Sequence, residues 1–392
     1  MATRRSRLTR LISTQRENPN TGHGASTITT LVKGFFPIWY ANRERMALID
    51  AIARSDLDAY GDKLKPSMPN GATDEFKTIR DRSTSPFGLV VIDSYSQELH
   101  VDDIKLVNGD SSPAYKLWQR NGLDSRQIPL HESALTFGQS FNLVLPARGR
   151  LDGQPTAVIR GKSSMRALGF YRDDFDEYPD YLLEGEPQVR DDGSVYWMVW
   201  FTDDYAVHRL LIDEETAGEV KKIRYIDHEP HNMEICPAVR YANKIDLDGR
   251  VSGEIAPIVN VLGRLDQDTC DRLVVQRFGA WFVRTIAGME EPATDAQKQA
   301  ARIALGIGDF MVSENKDTKF SSLPPTPMDG HLRTKDSDFR DLSTISQVPN
   351  YHFLGVSDNM GADGLAMARS QFIKKRNQRR VQFGEAHETS IR

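Results

Sequence analysis

The chain has 392 residues, of which 55 are acidic and 50 are basic, so its formal net charge is −5. This length corresponds to two or three domains of about 150 residues each. The hydrophobic fraction of 39% excludes a chain that is disordered throughout. The small acidic excess argues against a protein that grips nucleic acid through bulk electrostatics, because phosphate binding needs a local excess of Lys and Arg.

Composition excludes two further classes of protein. The two cysteines, Cys236 and Cys270, are too few for a disulfide framework or for a zinc site built from cysteines alone. No segment approaches the roughly 20 consecutive apolar residues that cross a bilayer. The sequence therefore predicts no disulfide scaffold and no membrane partner.

The N-terminal part of the chain is predicted to contain a basic arm and a helix. Residues 1–25 are polar and basic, as is common in a flexible terminal arm. Between residues 40 and 55 the apolar side chains of Met46, Ile49 and Ile52 recur at three-residue steps, which predicts an amphipathic helix.

The following segments are predicted to mix strands and short helices. Residues 87–92 and 99–107 are rich in Val, Ile and Leu, which predicts two strands or a strand and a short helix. Residues 113–120 and 129–137 are predicted helices with proline near the first turn. Gly138 is predicted to end the second of them.

The middle of the chain is predicted to form an antiparallel sheet. Short runs of β-forming residues alternate with turns, and Asp191-Asp192-Gly193-Ser194 has the pattern of a hairpin turn whose glycine tolerates a positive φ. The predicted strands cover residues 141–145, 156–160, 195–202, 207–212 and 222–226.

The C-terminal part is predicted to return to helix around a small insert, which makes the fold class α+β. A long helix is predicted over residues 257–278, with Pro257 in its first turn, and a second helix over 334–347. A Gly- and Asn-rich loop then leads to a last helix that begins near Ala362. The predicted elements of the insert are a helix at 292–305 and strands at 309–313 and 319–323.

Three clusters contain residue types that metal or acid–base chemistry uses. His228-Glu229-Pro230-His231 with Cys236 offers imidazole and thiolate ligands, but Pro230 forbids the helix of a His-Glu-x-x-His site, which favours a solvated loop. The acidic run of residues 173–180 is interpreted as a solvated surface rather than paired catalytic carboxylates. Residues 246–249 are interpreted as a turn, because the sixth position of a calcium loop would need glycine.

No sequence pattern supports an enzyme. The chain has no P-loop, no GxSxG elbow and no dinucleotide fingerprint. We therefore predict no catalytic residue, no metal ligand and no cofactor. A metal-dependent hydrolase that uses His228, His231 and the carboxylates of residues 173–180 stays open as the least favoured alternative.

The last predicted helix has a concentration of positive charge. On a 3.6-residue period, Arg369, Arg376 and Arg380 share a stripe, and Phe372 and Phe383 lie on a neighbouring apolar stripe. This pattern favours a solvated or inter-subunit face over direct contact with nucleic acid. The basic residues of the helix are Arg369, Lys374, Lys375, Arg376, Arg379 and Arg380.

Several segments in fixed order resemble portal proteins of tailed double-stranded DNA bacteriophages. Residues 237–255 resemble the segment that leads into the first stem helix of that family. Residues 341–349 with 351–355 resemble its stem exit, and residues 132–141 resemble its helix-to-strand passage in the wing. The order of long helix, small α/β insert, second helix, Gly-rich loop and final helix is also similar to that family.

The resemblance implies a portal architecture in which each part of the chain has an assigned place. The final helix would lead toward a short or truncated crown. The implied parts are a basic arm (1–25), a wing (26–250), a first stem helix (251–278), a clip (279–327), a second stem helix (328–348), a tunnel loop (349–361) and a long final helix (362–392).

The resemblance also implies a function and a set of partners. Portals form a dodecameric ring at the unique capsid vertex, and double-stranded DNA passes through the channel during packaging and ejection. The implied partners are further copies of the chain, the large subunit of the terminase, the head–tail adaptor, and the major capsid and scaffolding proteins. The implied location is the virion, after assembly in the cytoplasm of the host bacterium. Another virion assembly protein, such as an adaptor or a minor capsid component, is the alternative.

The resemblance assigns candidate residues by position only. In the tunnel loop, His352, Asn359 and Met360 are expected to approach DNA. The candidates for phosphate contacts are Lys335, Arg369, Lys374 and Arg376. The candidates for contacts between subunits along the stem are Leu262, Leu265, Leu273 and Leu342.

Overall fold

The computed structural model describes most of the chain, and the chain divides into two compact units. Unit 1 comprises residues 1–65, 84–265 and 338–392, and unit 2 comprises 66–83 and 266–337. The predicted elements at 292–305 and 309–313, Asn359 and Met360 lie outside the described residues, as does nearly all of the predicted arm. The described residues are 24–59, 65–68, 73–105, 113–148, 155–215, 218–279, 284–287, 319–322, 327–355 and 362–392.

The described elements follow one another as a helical segment, a run of strands and a second helical segment. The helices are α1 (Ala25–Arg54), α2 (Asp74–Asp81), α3 (Phe87–Ser96), α4 (Pro113–Arg120), α5 (Leu123–Phe137), α6 (Val259–Gly279), α7 (Asp329–Ser346), α8 (Tyr351–Leu354) and α9 (Ala362–Ile391). The strands are β1 (Gln139–Arg148), β2 (Pro155–Ser163), β3 (Ala167–Phe170), β4 (Tyr181–Val189), β5 (Val195–Thr202), β6 (Ala206–Glu214), β7 (Val220–Pro230), β8 (Ala238–Ala242), β9 (Arg284–Ala287) and β10 (Lys319–Ser322).

A five-stranded antiparallel meander in the order β3-β4-β5-β6-β7 forms one layer of unit 1. The first half of α1 covers one face of this sheet, where Phe35 and Trp39 pack against Phe201 and other buried strand residues. Gly185 makes this close approach possible, because a Cβ there would lie 2.5 Å from the Trp39 ring. The predicted hairpin turn before β5 is confirmed, with Gly193 at a φ of 80°.

A three-stranded antiparallel sheet in the order β2-β1-β8 forms a second layer of unit 1. Helix α5 packs on β1 and β2, and α9 packs on β8. Buried side chains of α1, α3, α5, α9 and the adjoining parts of α6 and α7 form the largest hydrophobic core of the unit. The predicted strands in the middle of the chain are confirmed, each lying within a described strand.

Two helices begin earlier than predicted. Helix α1 begins at Ala25 rather than near Tyr40, and Pro37 lies inside it. Its first half is apolar on several faces because it is buried, and this weakens the periodicity on which the prediction depended. Helix α5 begins at Leu123, directly after the left-handed Gly122, so Pro129 is an interior residue and not the first.

Residues 87–92 form the helix α3, so the alternative with two strands is wrong and the short helix of the other alternative lies here. Its Val and Ile content favours strand locally, but Val91, Ile92 and Tyr95 are buried in the core among neighbouring helices. Tertiary packing therefore overrides the local preference of β-branched residues. Residues 99–104 have no regular structure, so the strand predicted over 99–107 is wrong over its described part.

Unit 2 contains α2, most of α6 and the first part of α7. Arg277 pairs with Glu75 at 2.8 Å, and the Gln267 side-chain oxygen accepts a hydrogen bond from the Ser67 backbone amide at 2.6 Å. The predicted strand at 319–323 is confirmed as β10, which pairs with β9, a strand absent from the prediction. Among the described residues, no helix is both long enough and apolar enough to cross a membrane.

Candidate functional site

The basic residues of α9 form two groups, of which one faces carboxylates of the same chain. Arg369 pairs with Glu98 at 3.2 Å, and Arg376 donates a hydrogen bond to the other oxygen of the same carboxylate. Glu98 follows directly after α3, so these ion pairs attach the first half of α9 to that helix. The sequence pattern favours a stripe that faces solvent or another subunit. In the structure, Arg369 and Arg376 instead face a carboxylate of their own chain.

A buried ion cluster lies further along α9. The Glu254 side chain is only 5% exposed, and its carboxylate lies 2.5 Å from Lys375 Nζ and 3.0 Å from Arg379 Nη2. Asn243 donates a further hydrogen bond to Glu254 at 3.0 Å. Burial raises the pKa of Glu254, but the two cations outweigh this effect, so that the pKa lies below its ordinary value. The Glu254 carboxylate is therefore ionised at neutral pH.

Lys375 also closes the C-terminal end of α7. Its ammonium donates a hydrogen bond to the Ser346 carbonyl at 2.9 Å, and the Tyr95 hydroxyl donates to the same oxygen at 2.8 Å. The last carbonyls of a helix have no partner within the helix and attract a cation. Burial lowers the pKa of Lys375, although Glu254 acts in the opposite direction. One lysine thus joins α3, α7, α9 and the Glu254 segment.

Other basic residues of α9 face solvent. Lys374 and Arg380 are exposed, and within the described ranges neither has an ion pair. Of the candidates for phosphate contact, Lys374 is therefore accessible, whereas Arg369 and Arg376 already pair with Glu98. Lys335 lies on α7 in unit 2, half-buried, and burial followed by repulsion from Arg272 lowers its pKa.

The described tunnel-loop candidate, His352, lies on α8. Its Nδ1 is 3.2 Å from the Ser94 hydroxyl, and its ring centroid is 6.0 Å from that of Phe372. Burial and the nearby Arg369 lower its pKa, so the imidazole is neutral at pH 7. The role of His352 near DNA stays a prediction.

The candidate stem contacts differ in accessibility. Leu262, Leu265 and Leu342 are at most 4% exposed and lie in the hydrophobic core of unit 1. Leu273 lies in unit 2 and is half-buried, beside a surface groove that it lines with Ile79. Their assignment to contacts between subunits stays a prediction. Of the four leucines, Leu273 is the one with accessible surface that another subunit could contact.

The His228 cluster does not form the predicted solvated loop. His228 lies on β7 opposite His208, and the two rings stack with centroids 5.7 Å apart. His231 is buried, and its Nε2 donates to the Asp203 carbonyl at 3.1 Å. Cys236 is buried and burial raises its thiol pKa. Among the described residues, no group of three or more His, Cys, Asp or Glu side chains is placed to hold a metal ion.

The acidic run forms an exposed loop between β3 and β4. Asp173, Asp176 and Glu177 are exposed, and so is Phe175 in their midst. Local hydrogen bonds order the loop, since Asp173 accepts from the Phe175 amide at 3.0 Å and Asp176 accepts from the Asp173 amide at 3.1 Å. The loop therefore presents the carboxylates of Asp173 and Asp176 to solvent.

The sequence prediction missed a buried relay that attaches the end of α9. His131 Nδ1 donates to the Leu99 carbonyl at 3.0 Å, so its Nε2 must accept the 2.8 Å hydrogen bond from His387 Nε2. His387 Nδ1 then accepts from the Tyr241 hydroxyl at 2.9 Å. Both imidazoles are neutral, because burial lowers the pKa of His131 to about 4 and that of His387 to about 3. The one available signal was that His387 lies four residues after Phe383 on the apolar stripe.

Comparison with protein-family models gives a match over most of the chain. A family model described as "Phage portal protein, SPP1 Gp6-like" matches residues 46–392. The matched range includes α9 and both carboxylates, Glu98 and Glu254, that hold it. No curated protein is significantly similar to the chain.

Proposed function

The chain belongs to the SPP1 Gp6-like phage portal protein family, and on this premise we propose that it is the subunit of a dodecameric ring at the unique capsid vertex. Portal proteins of this family are structural, non-enzymatic virion proteins that form the head–tail connector and its DNA channel. Membership implies an oligomeric ring and DNA as a partner. The family match over residues 46–392 is the observation that carries the proposal.

We further propose the portal subdivision of the chain. Residues 26–250 form the wing, 251–278 and 328–348 the stem, 279–327 the clip and 349–361 the tunnel loop. The helices α6 and α7 support this proposal, because they flank the residues assigned to the clip. Ion pairs join them within each unit: Arg264 lies 3.0 Å from Asp338 and 2.7 Å from Asp341 in unit 1, and His331 Nδ1 lies 3.4 Å from Asp268 in unit 2. The alternative, an adaptor or minor capsid protein, predicts no such helix pair around an insert.

The finer partner assignments rest on the same premise. The clip is proposed to bind the terminase large subunit during packaging and the head–tail adaptor afterwards. The wing is proposed to contact the major capsid and scaffolding proteins. Each pairing is tested by co-purification with the full chain, and unchanged terminase binding by a chain that lacks residues 279–327 would contradict the assignment of the clip.

The charge distribution supports a conduit that does not hold DNA tightly. Strong phosphate binding follows the number of unpaired Lys and Arg side chains at the contact. In α9, Arg369, Arg376, Lys375 and Arg379 are compensated by Glu98 and Glu254, which leaves Lys374 as the accessible phosphate-contact candidate. A sparse positive lining lets a duplex slide.

Electron microscopy and mass photometry of the purified chain test the ring directly. We expect closed rings of about twelve subunits, as in the portal family to which the chain belongs. A stable monomer or dimer under every assembly condition would contradict the proposal.

Two leucine substitutions separate assembly from folding. Leu273→Asp changes a half-buried side chain and should reduce ring formation while leaving the melting temperature nearly unchanged. Leu265→Asp is the matched control, because it places a charge in the core of unit 1 and should lower the melting temperature. Full assembly of the Leu273→Asp variant would count against this helix as an inter-subunit surface.

A further inference from the structure

Surfaces of opposite charge lie at the two edges of the three-stranded sheet in unit 1. The strand order β2-β1-β8 makes β2 and β8 the outer strands. A groove of about 490 Å³ runs between α5 and β2 and is lined by basic, apolar and hydroxyl side chains. The acidic loop of residues 171–180 is fastened at the β8 edge.

The groove is basic at its margins and apolar at its floor. Arg126 of α5 and Arg160 of β2 are exposed, and neither has an ion-pair partner in the part of the chain that the structure describes. The floor between them is lined by Pro129, which is exposed, and by Leu130, which is 4% exposed. The Ser133 hydroxyl oxygen is buried at this site and has no hydrogen-bond partner among the described residues. These groups together suit an acidic segment that carries an apolar side chain.

The acidic loop has the complementary pattern. The Arg240 guanidinium of β8 lies 4.2 Å from the centre of the Tyr171 ring and donates to the Asp174 carbonyl, so the loop is held against that edge. Phe175 is 56% exposed, although phenylalanine is normally a core residue. The exposed carboxylates of Asp173 and Asp176 flank it.

We propose that the acidic loop of one copy of the chain docks in the basic groove of the next copy. Phe175 lies over Leu130, and the carboxylates of Asp173 and Asp176 face Arg126 and Arg160. The groove lies at the β2 edge of the three-stranded sheet and the loop, which connects β3 and β4, lies beside its β8 edge, so the contact joins unlike patches of two copies. A contact of this head-to-tail kind generates a closed ring when its rotation closes. The inference rests on the proposed ring and names the contact that builds it.

The chemistry of the contact matches what protein interfaces use. Arginine and aromatic side chains are the residues that most often dominate binding energy. Complementary charges around an apolar anchor fix the orientation of the partners and accelerate their encounter. Because the charged groups are exposed before docking, assembly should weaken as ionic strength rises.

Charge reversal on each side of the contact tests the proposal. The loop variant is Asp173→Lys with Asp176→Lys, and the groove variant is Arg126→Glu with Arg160→Glu. Each variant alone brings like charges together and should need at least about a tenfold higher concentration to form rings, measured by mass photometry. An equimolar mixture should form rings again, in which the two variants alternate, because each loop then meets a groove of opposite charge.

Control variants distinguish the contact from general charge effects and from misfolding. Lys221→Glu with Lys222→Glu changes two exposed residues of β7 by the same total charge as the groove variant and should leave assembly unchanged. Asp173→Asn with Asp176→Asn keeps the oxygen atoms that order the loop and should weaken assembly in the same direction as the Lys variant, but less. Unchanged melting temperatures establish that the variants fold.

The outcomes separate this contact from the ring itself. If the unmodified chain forms no rings, the proposed function fails. If it forms rings and the loop and groove variants do so equally well, the ring stands and the contact is refuted. A mixture that stays unassembled refutes the pairing of these two surfaces. Loss of binding to a duplex DNA probe by the groove variant, with ring formation intact, would assign the groove to nucleic acid instead.

Discussion

Replacing Glu254 with glutamine should destabilise the fold strongly, because it removes the only carboxylate of the buried cluster. Lys375 and Arg379, whose side chains are 13% and 7% exposed, would then be buried without their counter-ion. Breaking a buried ion pair from one side costs about 3–5 kcal/mol. At roughly 2–4 °C per kcal/mol for a large domain, the melting temperature should fall by about 6–20 °C.

A double-mutant cycle identifies the cluster as the cause. Lys375→Met removes one of the two buried cations, so combining it with Glu254→Gln should be less damaging than the sum of the single changes, by about 1–3 kcal/mol. Scanning calorimetry on samples of equal assembly state, checked by mass photometry, gives the four melting temperatures. Additive effects, or a Glu254→Gln melting temperature within about 1 °C of the unmodified chain, would refute this account of the cluster.

The same cluster predicts a pH dependence of stability. The folded-state pKa of Glu254 lies below its ordinary value of 4.5, so the unfolded chain binds its proton first as the pH falls. The stabilisation by ionised Glu254 is complete above that ordinary value and is lost as the pH falls through the folded-state pKa. The stability difference between the unmodified chain and Glu254→Gln should therefore narrow below pH 4.5.

Two further predictions concern buried contacts of unit 1. Burial lowers the pKa of His131 from 6.5 to about 4 and that of His387 from 6.5 to about 3. The folded chain therefore binds fewer protons than the unfolded chain between pH 6.5 and 4, and its stability falls as the pH decreases through this range. The free energy of unfolding should change by roughly 1.4 kcal/mol per pH unit for each histidine. His387→Phe should reduce this pH dependence, as measured by urea unfolding at several pH values. An unchanged pH dependence would contradict the relay. Gly253→Ala should cost about 1–3 kcal/mol, because its Cβ would lie 2.2 Å from the Thr136 carbonyl oxygen. Gly263→Ala, which meets no atom within 4 Å, is the control, and equal melting temperatures for the two variants would contradict the clash.

Local periodicity was sufficient to predict the elements that obey it. The helix predicted over 257–278 corresponds to a short 3-10 helix at Ala256–Ile258 followed by α6. The last helix is predicted to begin near Ala362, which is the first residue of α9. The strand predicted over 195–202 coincides with β5. In these segments, apolar spacing and turn residues agree with the tertiary environment, so local and global preferences coincide.

Prediction failed where burial, rather than local preference, selected the conformation. Helix α3 has the composition of a strand, yet its position in the core requires a helix that packs against helices. Helix α1 continues through Pro37 because its first half is covered by the five-stranded sheet. Such outcomes depend on which distant surface a segment meets, and single-sequence periodicity carries no information about that surface.

The sequence by itself determined the family, the α+β class and the concentration of positive charge on the last helix. Only the tertiary structure decided where those charges point. Arg376 meets Glu98 across 278 positions of the chain and Arg379 meets Glu254 across 125, so no local pattern could pair them. Burial makes the pairing decisive, because a charge removed from water needs its partner within a few ångströms, and only the fold brings the two together.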